Sequence, residues 1–205
     1  MSDIGLPHLF GDEPALMQRV FGAGMRNYME FGIGGSTLAA IRAGAGMVVS
    51  VESDPAWVET VCRHAEVAPL VARGAARIIH ADIGPVGDWG YPKDASRLRH
   101  WHDYIAKPWL EWERRQVLPD VIYVDGRFRV ACCYSIALAF AGRPDVAPPS
   151  VLLHDMDAHR PGYRDVFLYF ELAEQVGSLG LLRLRTDVSR LAAMASLLAR
   201  QFDPA

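Results

Sequence analysis

Six ionisable residues stand within or directly after short apolar runs: Glu30 in "NYMEFG", Glu52 in "MVVSVES", Asp82 in "RIIHADIG", Asp125 in "DVIYVDG", and the neighbours His154 and Asp155 in "SVLLHDMD". A carboxylate at a strand end can accept hydrogen bonds from a ligand's hydroxyl or amino groups, and a histidine beside acids can move a proton near neutral pH. Between the first two acids lies "GIGGST", that is Gly32, Ile33, Gly34, Gly35, Ser36 and Thr37. Glycine alone combines positive φ with close backbone approach, so such a turn can bring a ligand up to a helix N-terminus. Glu52 follows Gly32 by 20 residues, a spacing at which an acid on the next strand can reach both hydroxyls of a ribose. Nucleoside binding is expected; the competing reading is a plain βα turn whose acid caps the helix opening at Pro55.

The dinucleotide fingerprint G-x-G-x-x-G would place its third glycine at position 37, where this chain has Thr37. That counts against NAD. The residues match E-x-G-x-G through Glu30, Gly32 and Gly34, and here the sequence resembles the class I S-adenosylmethionine (AdoMet) dependent methyltransferases. Glu52, "ADIG" with Asp82 and "YVDG" with Asp125 follow in that family's order, and the likeness spans roughly residues 25–186. It implies AdoMet as the cofactor. Gly32 to Gly35, with Ser36 and Thr37, would surround its methionine and ribose parts, Glu52 and Ser53 would hold the ribose, and Asp82 and Ile83 would lie near the adenine. Asp125 and Gly126 would face both cofactor and acceptor. "PDVIYVDGRFRVACC", "VLLHDMDAHRPGYRDV" and "DIGPVGDWGYP" further resemble a little-characterised bacterial branch of methyltransferase-like proteins that shares a "VDGR-R" element. Where that branch has an acidic pair, this chain has His154 and Asp155.

Transfer of a methyl group from a sulfonium needs an oriented acceptor and exclusion of water more than dedicated catalytic side chains. If the acceptor must lose a proton, Asp125, His154 and Asp155 are the candidate catalytic residues. His154 also reads as a core histidine. Asp125, Asp155 and Asp157 resemble the Mg²⁺ ligands of catechol-type O-methyltransferases, and His154 and His159 could add nitrogen donors. Those enzymes usually follow the second acid with Asn, where Met156 stands here, and no metal is expected. Arg127 and Arg129 do not share a helix face, so one can enter the pocket, where a guanidinium fork suits a carboxylate or phosphate, while the other pairs ordinarily. Trp57 can stack on adenine or join the core. Cys132 and Cys133 lie mid-helix without a cationic helper, which indicates packing.

The elements that must position these groups read as one α/β unit. A leading helix (12–24) precedes strand 28–31, helix 37–43 with Ser36 as N-cap, strand 47–51, a helix from Pro55 and strand 77–83. Strand 120–125, helix 129–142 and strand 150–155 follow. A last helix over 163–176 would precede an antiparallel hairpin of "LLRLRT" with "RLAAMASLL". The alternation predicts a single-domain, doubly wound, mostly parallel sheet; the resemblance implies about seven strands with the last antiparallel. Residues 84–118 interrupt the rhythm with Gly, Pro and four of the five tryptophans. They read as an aromatic lid over an acceptor or as a surface that pairs two subunits in a homodimer.

Composition narrows the partners. With 51% hydrophobic residues, the 205-residue chain can bury one sizeable core. Lys and Arg number 21 against 24 Asp and Glu, with no basic stripe for nucleic acid, so a small-molecule acceptor is expected. No run approaches the 18 or so apolar residues of a membrane span. Three cysteines without disulfide or zinc spacing suit a cytoplasmic protein.

Overall fold

In the computed structural model, which describes residues 4–205, seven strands form one sheet in the order β3-β2-β1-β4-β5-β7-β6. The strands are β1 (Asn27–Phe31), β2 (Met47–Glu52), β3 (Ala76–His80), β4 (Val121–Val124), β5 (Ser150–Leu153), β6 (Phe170–Val176) and β7 (Leu179–Leu184). The first five run parallel, and β7 is antiparallel to both β5 and β6. This is the doubly wound, mixed sheet that the alternation of elements predicts.

Residue alternation along the central strands divides the core. Met29, Phe31, Val49, Val51, Ile122, Val124, Val151 and Leu153 face one side, covered by α5 (His102–Arg115), α6 (Arg129–Phe140) and α7 (Arg190–Arg200). Tyr28, Val48, Val121, Tyr123 and Leu152 face the other, covered by α1 (Glu13–Gly22) and α2 (Gly35–Arg42). A smaller cluster joins Leu38 to Val61 of α3 (Pro55–Cys62), to Val67 just before α4 (Ala68–Ala72), and to Ile78. Parallel strands buried on both faces must be apolar throughout, which is why "VIYV" and "VLL" are unbroken.

Two expectations are corrected. The segment 163–176 is not a helix: residues Pro161–Leu168 form 3₁₀ turns and Phe170–Val176 is the edge strand β6, paired with β7 across Gly177. Its side chains are mostly solvated, so no apolar alternation marks it. "RLAAMASLL" is the helix α7, capped by Ser189 Oγ at the Ala192 N–H, and packs on α6. The second correction concerns 84–118. Its latter half is α5, the crossover helix between β3 and β4, with Tyr104, Ile105, Pro108 and Trp112 buried at helical spacing. Trp101 Nε1 donates to the Ile83 carbonyl and Trp109 Nε1 to Ser135 Oγ, so these aromatics are structural. Only Trp89 and Tyr91 stay exposed, at 78% and 47%.

This division is measurable in urea unfolding. Trp112→Ala should cost about 3–5 kcal/mol, whereas Trp89→Ala should stay within about 0.5 kcal/mol.

Candidate active site

Backbone bonds carry the ladder past the strand ends. Gly32 N–H donates to Val51 O (2.9 Å), Asp125 N–H to Phe31 O (3.0 Å), His154 N–H to Val124 O (3.1 Å) and Ala81 N–H to Glu52 O (2.8 Å). Gly32, Glu52, Asp125 and His154 are thereby aligned along the carboxyl edge of the sheet. β1 and β4 are neighbours where strand order reverses, the place at which open α/β sheets form a ligand crevice. There Gly32, at φ 92°, faces Gly126 so closely that a Cβ on it would lie 2.9 Å from the Gly126 Cα and N.

Glu30 has no exposed surface. Its Oε1 accepts from Thr37 (2.5 Å) and Ser50 (2.8 Å), and its Oε2 from Tyr28 (2.9 Å) and Ser36 (2.8 Å). Thr37 Oγ1 also accepts from the Gly34 N–H at 3.1 Å. The threonine in place of a third glycine therefore latches the Gly turn to Glu30. Glu30, Ser36 and Thr37, expected to touch the cofactor, lie behind the turn and shape it. Ser36 is spent on Glu30 rather than on capping, and α2 begins two residues earlier than expected, at Gly35. Burial pushes Glu30 up to about 7, although the four hydroxyls oppose it.

Glu52 is held by its own loop: Oε1 accepts the N–H groups of Ser53 (2.6 Å) and Asp54 (3.1 Å), with Ser53 Oγ at 3.0 Å. Desolvation nonetheless raises its pKa. The carbonyl of Ile33 takes Trp57 Nε1 at 2.8 Å, so Trp57 buttresses the Gly turn. Asp82 is half exposed, accepts the Gly84 N–H and pairs with Arg97 at 3.3 Å. Ile83 is fully buried in the core, with its carbonyl taken by Trp101; its side chain is not open to a ligand. Two segments lie over this edge. The backbone of Leu6 and Pro7 packs on Gly35, and Gly90 packs on Ser53 and Glu52, with Ser53 Oγ 3.1 Å from the Gly90 carbonyl. His8 meets Trp89, their rings 5.7 Å apart, and Trp89 takes a left-handed φ of 58°.

At the ends of β4 and β5, charges alternate in a chain. Glu13 contacts His154 (3.3 Å), His154 contacts Asp125 (3.0 Å), Asp125 contacts Arg129 (3.1 Å), Arg129 contacts Asp155 (2.9 Å) and Asp155 contacts Arg160 (3.3 Å). Arg129 also donates to the carbonyls of Gly126, Asp125 and His154. Desolvation disfavours the charged His154 ring, but the hydrogen bond and charge of Asp125, with Asp155, outweigh it and raise its pKa. Asp125 is lowered despite desolvation, by His154, Arg129 and the Tyr123 hydroxyl. With a carboxylate at each nitrogen the ring can donate to both only when protonated, the form its raised pKa favours; both nitrogens of His154, expected as a base, are thus occupied by Glu13 and Asp125. Glu13 was missed: its other oxygen takes the N–H and hydroxyl of Ser178, a pairing across 165 residues that no local pattern announces.

Asp125, His154 and Asp155 bring potential ligand atoms within 4.8 Å of one another. The donor set does not fit a cation, because the buried Arg129 guanidinium already bridges both carboxylates. Asp157 and His159 are exposed, and Asp157 caps the His159 N–H. A groove of about 950 Å³ lies elsewhere, between α5, α6 and α7 near the amino ends of β1 and β4.

A methyltransferase-like protein from Silicibacter pomeroyi DSS-3 aligns over 96% of this chain and 97% of its own, with a TM-score of 0.74 and 26% identity. The chain has a methyltransferase fold. Cofactor-bound Rv0187 from MTB aligns over 89% of this chain and 85% of its own at a TM-score of 0.45 and 19% identity. No protein-family model and no curated protein matches. Among the described residues, no helix is long and apolar enough to cross a membrane.

Both buried networks leave pH signatures. Glu30 binds its proton more tightly folded (about 7) than at its ordinary 4.5, so its contribution to stability falls as pH rises from about 4.5 to about 7. The melting temperature of Glu30→Gln relative to the wild type should therefore climb between pH 5 and 8. Glu30→Ala, which strips four hydroxyls of their acceptor, should cost about 4 kcal/mol, on the basis of about 1 kcal/mol for each. His154, raised in the fold, stabilises fully below its ordinary 6.5 and loses this as pH passes its folded value. The deficit of His154→Gln should be larger at pH 6 than at pH 9 in the same melting series.

Proposed function

We propose that the protein is an AdoMet-dependent methyltransferase acting on a small molecule. One observation carries this: at the β1/β4 switch point, a positive-φ glycine turn, a carboxylate fixed by its own loop and an ionised aspartate share one edge. The residues fit the cofactor. The turn Gly32–Gly35 would lie against its methionine part, Glu52 and Ser53 would hold the ribose hydroxyls, and the backbone at Asp82 and Ile83 would border the adenine. AdoMet, when bound, supplies an electrophilic methyl group on a positively charged sulfur.

The chain's own residues then have three tasks. Asp125, kept ionised by Arg129 and His154, accepts a hydrogen bond from the acceptor's hydroxyl or amine and orients its lone pair. Glu13 and Asp155 hold those two cations in place. The strap at Leu6–Pro7 and the turn at Asp88–Tyr91 exclude water, and entry of a nucleoside requires them to part. A second reading, an AdoMet-binding protein without transfer, draws on the occupation of both His154 nitrogens, which leaves His154 no free nitrogen with which to act as a base.

Calorimetric titration with AdoMet, S-adenosylhomocysteine and NADH tests the assignment. Both sulfur nucleosides should bind, and Glu52→Ala should weaken them about 10- to 100-fold, the worth of hydrogen bonds to a charged acceptor. Tight NADH binding with no response to either sulfur nucleoside would sink the reading.

A further inference from the structure

Arg127 stands outside the alternating chain of charges. Glu13, Asp125 and Asp155 are matched by His154, Arg129 and Arg160, one cation to each acid. Arg127 is only 7% exposed, yet among the described residues its guanidinium forms no ion pair and its Nε has no hydrogen-bond partner. Its charged neighbours are Arg129 and Arg160, both repulsive. Its other surroundings are aromatic. The guanidinium lies 5.6 Å from the Tyr91 ring centroid, the Arg127 N–H donates to Tyr104 Oη at 3.3 Å, and Tyr163 is near enough to be felt electrostatically.

A buried cation without a counter-charge is costly, and an unsatisfied buried donor in a native structure calls for an explanation, of which a ligand that meets it is one. Arg127 is two residues from Asp125 and stacks on Tyr91, in the turn that covers Glu52. The unmet donor therefore lies beside the expected acceptor position. A guanidinium offers a planar fork of N–H groups that matches the two oxygens of a carboxylate or phosphate.

We propose that Arg127 is the anion-recognition residue of the acceptor site, so that the methylated molecule is an acid: a carboxylate- or phosphate-bearing compound whose anionic group Arg127 binds. This rests on the methyltransferase reading and adds the acceptor's chemical class.

Titrations of the wild type, Arg127→Met and Arg127→Lys with benzoate and phenyl phosphate test it, with phenol as the neutral control. Each is run with and without saturating S-adenosylhomocysteine. In the wild type with the nucleoside present, at least one anion should bind about tenfold or more tightly than phenol, as a charge-assisted contact requires. Arg127→Met should abolish that preference and Arg127→Lys should keep part of it, while the affinity for S-adenosylhomocysteine stays within about twofold. With the unpaired charge removed, Arg127→Met should also melt no lower than the wild type, which separates loss of the site from loss of folding. The proposal is overturned if neither anion outbinds phenol, if the preference survives in Arg127→Met, or if that variant loses S-adenosylhomocysteine instead, which would assign Arg127 to the cofactor. An Arg127-dependent anion preference in a protein blind to S-adenosylhomocysteine would keep the anion site and sink the methyltransferase reading.

Discussion

Because the Glu30 carboxylate is sealed beneath α2 without exposed surface, its lone pairs must be met by the chain itself, and the residues that meet them fix the glycine turn. Tyr28 comes from the same strand, Ser50 from β2, and Ser36 and Thr37 from the first turn of α2. Four hydroxyls from three elements thus converge on one acceptor. Thr37 extends the network to the Gly34 amide, so the conformation of Gly32 to Gly35 is set from behind rather than by a ligand in front. A buried acid is expensive unless fully hydrogen-bonded, and here the bonding is full; geometry is what the expense secures.

The β4 and β5 ends use another device. Glu13, His154, Asp125, Arg129, Asp155 and Arg160 alternate in sign when His154 is protonated, and each inner member touches at least two opposite partners. Such a chain holds Asp125 ionised at a half-buried position and directs its remaining capacity outward. It also ties the first helix, through Glu13, to the β6–β7 turn, through Ser178, so both ends of the fold bear on one aspartate. The two networks meet at the β1/β4 contact, where Gly32 and Gly126 leave no room for a side chain on either strand.

Much of this was legible in the sequence, for a physical reason. The parallel strands are apolar on both faces, so "MVVSVE", "VIYV" and "VLL" declare themselves, and the glycine turn and acids follow at fixed offsets. The edge strand β6 was hidden because, after Phe170, its side chains are exposed or half-buried on both faces, which removes the period of two. In α5, Pro108 and the tryptophans masked a helix whose buried positions 101, 104, 105, 108 and 112 were spaced as a helix face all along. At the site, the strand-end acids were identified, but the division between residues that face a ligand and residues that shape the turn was not. Glu30 and Glu52 look alike in one dimension; only the pleat, which turns Glu30 toward Ser50 and under α2, separates them. Glu13 paired with His154 is a contact between distant segments, and no local pattern encodes it.

The "RFR" run shows how little sequence separates opposite electrostatic fates. Phe128 takes a left-handed φ of 57° before α6, reversing the backbone between the two arginines. Arg129, the first residue of α6, therefore reaches back to the carbonyls of Asp125, Gly126 and His154 and closes the chain of charges. Arg127, on the strand side of the same kink, is left among tyrosines, repelled by Arg129 and Arg160 and, among the described residues, without an ion pair. A left-handed bulky residue carries strain that ordinary helix starts avoid. Here that strain gives one arginine to the fold and frees the other.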